Sequence, residues 1–131
     1  MKKIIDINYL SVLRKNYNKE KKKIVLCHGV FDLIHIGHMK HFKSAKNYGD
    51  ILVVSITPDN FVNKGPKRPV FGEKLRAELL SNISSIDHVV INNTSTAINL
   101  IKKLKPNIYC KGPDYKKHSD DITGQIKNEI K

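Results

Sequence analysis

The segment His28-Gly-Val-Phe-Asp-Leu-Ile-His35-Ile-Gly-His38 gathers three histidines, an aspartate and two glycines within eleven positions. An apolar run, residues 24–27, leads into it, and a helical pattern leads out of it. That setting suits phosphate chemistry. A helix opening at His38 offers unpaired backbone N–H groups and the positive end of its dipole to an anion. Gly37 lets the backbone come close to a ligand, and His35 and His38 can donate hydrogen bonds to phosphate oxygens as their negative charge grows. A metal site is the competing reading, because His-x-x-His puts two rings on one side of a helical turn. No Cys or Glu follows at ligand spacing, so no metal ligands are expected.

The surrounding elements follow from hydrophobic pattern. Residues 24–27 are continuously apolar, which suits a strand buried on both faces of a parallel sheet. Over residues 38–48, Met39, Phe42 and Ala45 fall on one side of a helix and Lys40, Lys43 and Lys46 on the other, with Gly49 as its C-terminal stop. Residues 51–56 form a second strand, closed by Thr57-Pro58-Asp59, and Asn63-Lys-Gly-Pro-Lys-Arg-Pro69 reads as a loop. A helix over residues 73–82 is expected to turn Leu75, Leu79 and Leu80 inward. A third strand (residues 89–91), a helix (96–104, stopped by Pro106) and a fourth strand (108–110) come next. Ile122, Ile126 and Ile130 recur at four-residue intervals in a final helix over residues 120–131. The order β-α-β-α-β-α-β-α predicts an α/β fold, a Rossmann-like three-layer sandwich with a parallel sheet. Residues 1–20 read as an N-terminal helical extension striped by Ile7, Leu10, Leu13 and Tyr17, and residues 21–131 as the one domain. Open α/β sheets bind ligands at the carboxyl ends of their strands, where the histidine segment and Lys111 stand.

Bulk properties narrow the classes. A chain of 131 residues with 40% hydrophobic content supports a single core. Its apolar blocks fall far short of the roughly 20 residues that cross a bilayer. The N-terminus starts basic but soon meets Asp6 and Asn8, so it lacks the apolar centre of a signal peptide, and a cytoplasmic address is expected. Lys and Arg number 24 against 12 Asp and Glu, a formal net charge of +12 that favours anionic partners. No basic segment is interleaved with aromatics and no long amphipathic helix is evident, so neither nucleic acid nor membrane is expected as a partner. Cys27 and Cys110 each end an apolar run, which predicts two buried free thiols rather than a disulfide.

Through H-x-G-H at residues 35–38, in the context G-x-F-D-x-x-H-x-G-H, the chain resembles the nucleotidyltransferase superfamily and its cytidylyltransferase-like branch. The likeness covers residues 24 to about 124. It is similar in pattern to glycerol-3-phosphate cytidylyltransferase, and more so to the adenylyltransferase domain that activates heptose 1-phosphate. That second likeness rests on Asn63-Lys-Gly-Pro-Lys-Arg-Pro-Val70, Arg76 and Lys111-Gly-Pro-Asp-Tyr115, which resemble K-G-x-x-R-P-V, a downstream Arg and K-G-x-D-Y. The resemblance implies transfer of AMP or CMP from ATP or CTP to a small phosphorylated sugar or polyol, with release of pyrophosphate. It implies a catalytic set of His35, His38, Lys64 and Arg76, and a nucleotide pocket of Gly29, Val30, Phe31, Gly37, Lys111 and Gly112. Asp32 and Arg68 fall to the substrate side, Asp32 as a brace of the loop rather than a base. Mg²⁺ would bridge the phosphates, held largely by substrate and water. For Lys64 the competing reading is a surface lysine, and for Arg76 a surface ion pair with Glu73 or Asp87. Relatives pair near the nucleotide site, so a homodimer is an expected partner state. Relatives also continue into a further strand and a Ser/Thr-rich motif before a last helix. The chain stops at Lys131, so the C-terminal part of the family fold is expected to be missing, by truncation or by nature. The alternative function is therefore a nucleotide-binding domain without turnover. His28 departs from the Thr, Asn or Tyr common before the glycine and adds a titratable ring.

Overall fold

The computed structural model describes residues 3–62, 69, 71–94 and 96–111. Five strands form one wholly parallel sheet: β1 (Ile4–Ile5), β2 (Ile24–Gly29), β3 (Ile51–Ile56), β4 (His88–Ile91) and β5 (Ile108–Lys111), in the order β1-β4-β3-β2-β5. Among the described residues the α-helices are α1 (Leu10–Lys19), α2 (Ile36–Lys46), α3 (Glu73–Ser81) and α4 (Ile98–Leu104). Side chains alternate across the central strands. Ile24 and Leu26 of β2 and Ile51 and Val53 of β3 pack with Leu10 and Leu13 of α1 and Leu100, Ile101 and Leu104 of α4. Val25 and Cys27, Leu52 and Val54 instead pack with Phe42 and Ala45 of α2 and Ala77 and Leu80 of α3. Two helices therefore cover each face, the three-layer α/β sandwich that the pattern predicts. Both faces being covered is why β2 and β3 read as continuous apolar runs.

Several local expectations are corrected. The edge strand β1, paired with β4 through Ile4–Val89 and Ile5–Val90, lies within the segment that reads only as helical; a two-residue strand carries no periodicity to detect. The helical stripe that follows is present, with Ile7, Leu10 and Leu13 buried and Tyr17 packed against them. Helix α3 buries Arg76, Ala77 and Leu80 and leaves Leu75 and Leu79 exposed, so a buried arginine takes the place expected for two leucines. On α2, Phe42 and Ala45 are buried but Met39 is exposed. Gly49 lies beyond the C-cap of α2, which is Asn47. A Cβ at Gly49 would stand 2.8 Å from Val25 Cγ2 and 3.1 Å from the Lys23 carbonyl, so the glycine serves close packing against β2. Cys27 is buried as expected, whereas Cys110 is only half-buried; both are free thiols. The expected final helix, residues 120–131, lies outside the described residues. Among the described residues, no helix is long and apolar enough to cross a membrane.

Candidate functional site

Strand β2 ends at Gly29 and the chain reaches α2 through six residues, 30–35. Helix α2 opens two residues earlier than the pattern suggests, with His35 as its extended N-cap. The Nδ1 atom of His35 accepts a hydrogen bond from the Gly37 N–H at 3.0 Å, and Nδ1 of His38 accepts one from the His35 N–H at 3.2 Å. This is a capping box built from two histidines where Ser and Glu are usual. It has a chemical consequence. A neutral imidazole that accepts at Nδ1 carries its proton on Nε2, so backbone geometry fixes the tautomer of both rings. The rings lie 4.1 Å apart between centroids, His35 exposed and His38 half-buried.

The two glycines serve these rings. A Cβ on Gly37 would fall 2.8 Å from Cε1 of His35, so the space expected for a ligand is occupied by the His35 ring itself. A Cβ on Gly29 would meet the Phe31 ring at 2.9 Å. Phe31 is buried with φ of 50°, a left-handed conformation that costs an aromatic residue strain and marks a loop held by its surroundings. Its ring meets His38 edge-on at 5.6 Å and Phe42 at 5.2 Å, which wedges His38 against the core.

Arg76 holds the loop from beneath. Its side chain is fully buried, and Nη1 donates to the carbonyls of Val30 and Thr57, each at 2.8 Å. Nε donates to the Phe71 carbonyl at 3.0 Å, and Nη2 to Asp59 Oδ1 at 2.7 Å. The surface pairing with Glu73 or Asp87 is thus excluded. Glu73 accepts from the Asp59 N–H, and Asp87 pairs with Lys46. One guanidinium ties together the loop after β2, the end of β3 and the approach to α3. Asp32 is buried, and its Oδ1 accepts from the Phe71 N–H at 2.9 Å, a brace between the same segments.

Around this centre, Lys111 ends β5 directly opposite His28. His28 Nδ1 lies 2.6 Å from the hydroxyl of Ser55, its register partner on β3. At the end of β4 the buried Asn92 shapes the next loop, donating from Nδ2 to the Thr94 and Thr96 carbonyls at 3.2 and 2.6 Å. Lys64, Arg68 and Gly112 lie outside the described residues. The structure therefore groups Gly29, Val30, Phe31, Asp32, His35, Gly37, His38 and Arg76 at the carboxyl end of the sheet, with the backbone of Lys111, the last residue of β5, beside them. Thr57, Asp59, Ser55 and Asn92 belong to the same end and escape sequence reading. Their one signal is position, within three residues of the last residue of a strand.

A parallel α/β sandwich whose first central strand delivers a rigid, donor-bearing loop to a helix N-terminus is a domain built to receive an anionic ligand there. The chain matches the family described as Cytidylyltransferase-like over residues 26–130, and it belongs to that family of nucleotidyltransferases. It is 44% identical over 108 residues to the bifunctional protein HldE of Helicobacter pylori (strain J99 / ATCC 700824), covering 81% of this chain and 23% of that protein. With HldE of Geobacter metallireducens it shares 42% identity over 115 residues, 86% of this chain and 24% of the relative. The chain thus spans about a quarter of the length of the curated relatives it matches. A crystal structure of the lipopolysaccharide core biosynthesis protein from Thermoplasma volcanium GSS1 superposes with a TM-score of 0.72 at 29% identity, covering 82% of this chain and 88% of that one.

Proposed function

We propose that the loop between β2 and α2 binds the triphosphate of ATP, and that the chain transfers AMP to the phosphate of a sugar 1-phosphate. A phosphate oxygen of the acceptor attacks the α-phosphorus, the bond from that phosphorus to the bridging oxygen of the β-phosphate breaks, and pyrophosphate leaves. The choice of ATP over CTP, and of a heptose-like acceptor, rests on the Asn63–Val70 and Lys111–Tyr115 resemblance. What carries the reading is the reciprocal histidine cap. It commits both Nδ1 atoms to the backbone and makes both Nε2–H groups donors. Donors fixed before the ligand arrives need no reorganisation as charge shifts onto the leaving phosphates.

On this reading His35 and His38 touch the phosphates. Phe31, Asp32 and Arg76 position them without touching the reacting atoms, and Lys64, Arg68 and Lys111 supply positive charge. Mg²⁺ belongs to the nucleotide. Among the described residues no group of three or more His, Cys, Asp or Glu is arranged to hold a metal ion, and Asp32 and Asp59 already have N–H partners. Such an ion would be held largely by phosphate oxygens and water. The test is pyrophosphate release from ATP in the presence of a panel of sugar 1-phosphates, for the wild-type chain and for His38→Ala. Loss of one such donor is expected to slow release by about 10²–10³-fold. Release unchanged in His38→Ala would overturn the assignment. ATP bound without release under any acceptor would reduce the domain to nucleotide binding alone.

A further inference from the structure

Cys27 and Cys110 are register partners on the adjacent parallel strands β2 and β5. They stand 83 positions apart in the chain, and only the crossover through β3, β4 and α4 brings them together. Neighbouring strands lie about 4.7–4.9 Å apart, inside the roughly 4.4–6.8 Å Cα separation that a disulfide spans. Both side chains pack into the same core cluster on one face of the sheet. Cys27 is buried, with its Sγ 3.8 Å from Nε2 of His41, while Cys110 is half-buried at the sheet's β5 edge.

We propose that Cys110 and Cys27 form an oxidation site, in which a peroxide oxidises the Cys110 thiolate and Cys27 then closes an intramolecular disulfide across β2 and β5. The thiolate of Cys110 attacks one oxygen of hydrogen peroxide, the O–O bond breaks, and the leaving hydroxide takes a proton to become water. Cys27 sulfur then attacks the sulfenic sulfur of Cys110. The S–O bond breaks, the Cys27 proton leaves with the hydroxyl as a second water, and two electrons in all have passed to the peroxide. The division of labour follows from the surroundings. The neighbouring Cys27 thiol holds Cys110 below its ordinary value, while Cys110 and burial push Cys27 up. The accessible sulfur is therefore the nucleophile, and the shielded one resolves it. The bond would lock the strands one residue short of His28-Gly29 and of Lys111.

Hydrogen peroxide added to the purified chain tests this by intact mass and non-reducing peptide mapping, with Cys110→Ala and Cys27→Ala alongside. The wild-type monomer should lose two hydrogens, yield one peptide pair joining residues 27 and 110, and regain its mass with dithiothreitol. Cys110→Ala should leave Cys27 reduced. Cys27→Ala should trap a dimedone-reactive sulfenic acid at position 110. Thermal melts of both variants confirm that they are folded before oxidation. Oxidation of Cys27 in folded Cys110→Ala, a disulfide that links two chains, or Cys110 passing to sulfinic acid in the wild type with Cys27 still free would each overturn the proposal.

Discussion

Each end of the sheet holds a buried arginine, and the two are used differently. At the amino-terminal end, Arg14 of α1 donates to the carbonyls of Lys105 and Lys22 and to the side-chain oxygens of Asn107 and Asn18. All four acceptors are neutral, and Asn107 also binds the first N–H of β2. At the carboxyl end, Arg76 meets three carbonyls and one carboxylate, all outside the strands and α-helices. Arg14 ties α1 to the segments that lead into β2 and β5. Arg76 freezes the backbone of a loop whose outer surface carries His35 and His38. A buried arginine thus joins a helix to neutral neighbours at one end and, on the proposed function, holds a binding loop at the other.

Breaking the carboxyl-end fastener should have the largest effect. Arg76→Met leaves Asp59 unpaired and three carbonyls without their donor. Urea denaturation should register a loss of about 3–5 kcal/mol, mainly because three wholly or partly buried carbonyls lose their donor, at about 1–3 kcal/mol each. The exposed Asp59 adds little. ATP affinity should fall with it. Arg14→Met removes hydrogen bonds to a charged group but strands no carboxylate. It should cost about 1.5–3 kcal/mol and leave ATP affinity in the surviving folded protein unchanged. An equal loss of ATP affinity in the two variants would erase the distinction between the ends.

Gly37→Ala sharpens the contrast from the other side. The added methyl displaces the His35 ring, so calorimetric ATP affinity should fall roughly tenfold, or about 1.4 kcal/mol, with little change in melting temperature. Retained affinity would mean that the ring's position does not matter.

The smallest expected effect is at the amino-terminal end. His88 is buried against Tyr17, its Nδ1 without a hydrogen-bond partner. Burial, and after it the charges of Lys46 and Lys3, outweighs Asp87 and holds the ring below its ordinary value of 6.5. The folded chain therefore binds fewer protons here than the unfolded one. The neutral ring's contribution is complete above pH 6.5 and is lost as pH falls below it, by less than about 1.4 kcal/mol per pH unit. His88→Gln should flatten that part of the pH–stability curve, and an unchanged curve would assign it elsewhere.

The layers and the loop that carries the candidate site were legible in the sequence, the layers because they rest on a long-range regularity. Continuous apolar runs announced β2 and β3, and H-x-G-H announced the loop. Arg76 was legible as a residue but not as a fastener. Its partners are backbone carbonyls of Val30, Thr57 and Phe71, and a carbonyl leaves no mark in a sequence. Gly37 was read as room for a ligand because nothing local reveals which ring will fill the gap. Cys27 and Cys110 show the same limit, since their pairing depends on strand order, which the pattern of elements leaves open.

The central claim is that two histidines capped through Nδ1 present Nε2–H donors to a nucleotide triphosphate. Two-dimensional NMR correlating the imidazole nitrogens and carbon-bound protons of His35 and His38, without and with ATP and Mg²⁺, tests it most directly. Both rings should report an unprotonated Nδ1 and a protonated Nε2, and ATP should move the Nε2 signals more than the Nδ1 signals. A protonated Nδ1 in the free protein, or rings indifferent to saturating ATP, would contradict the account.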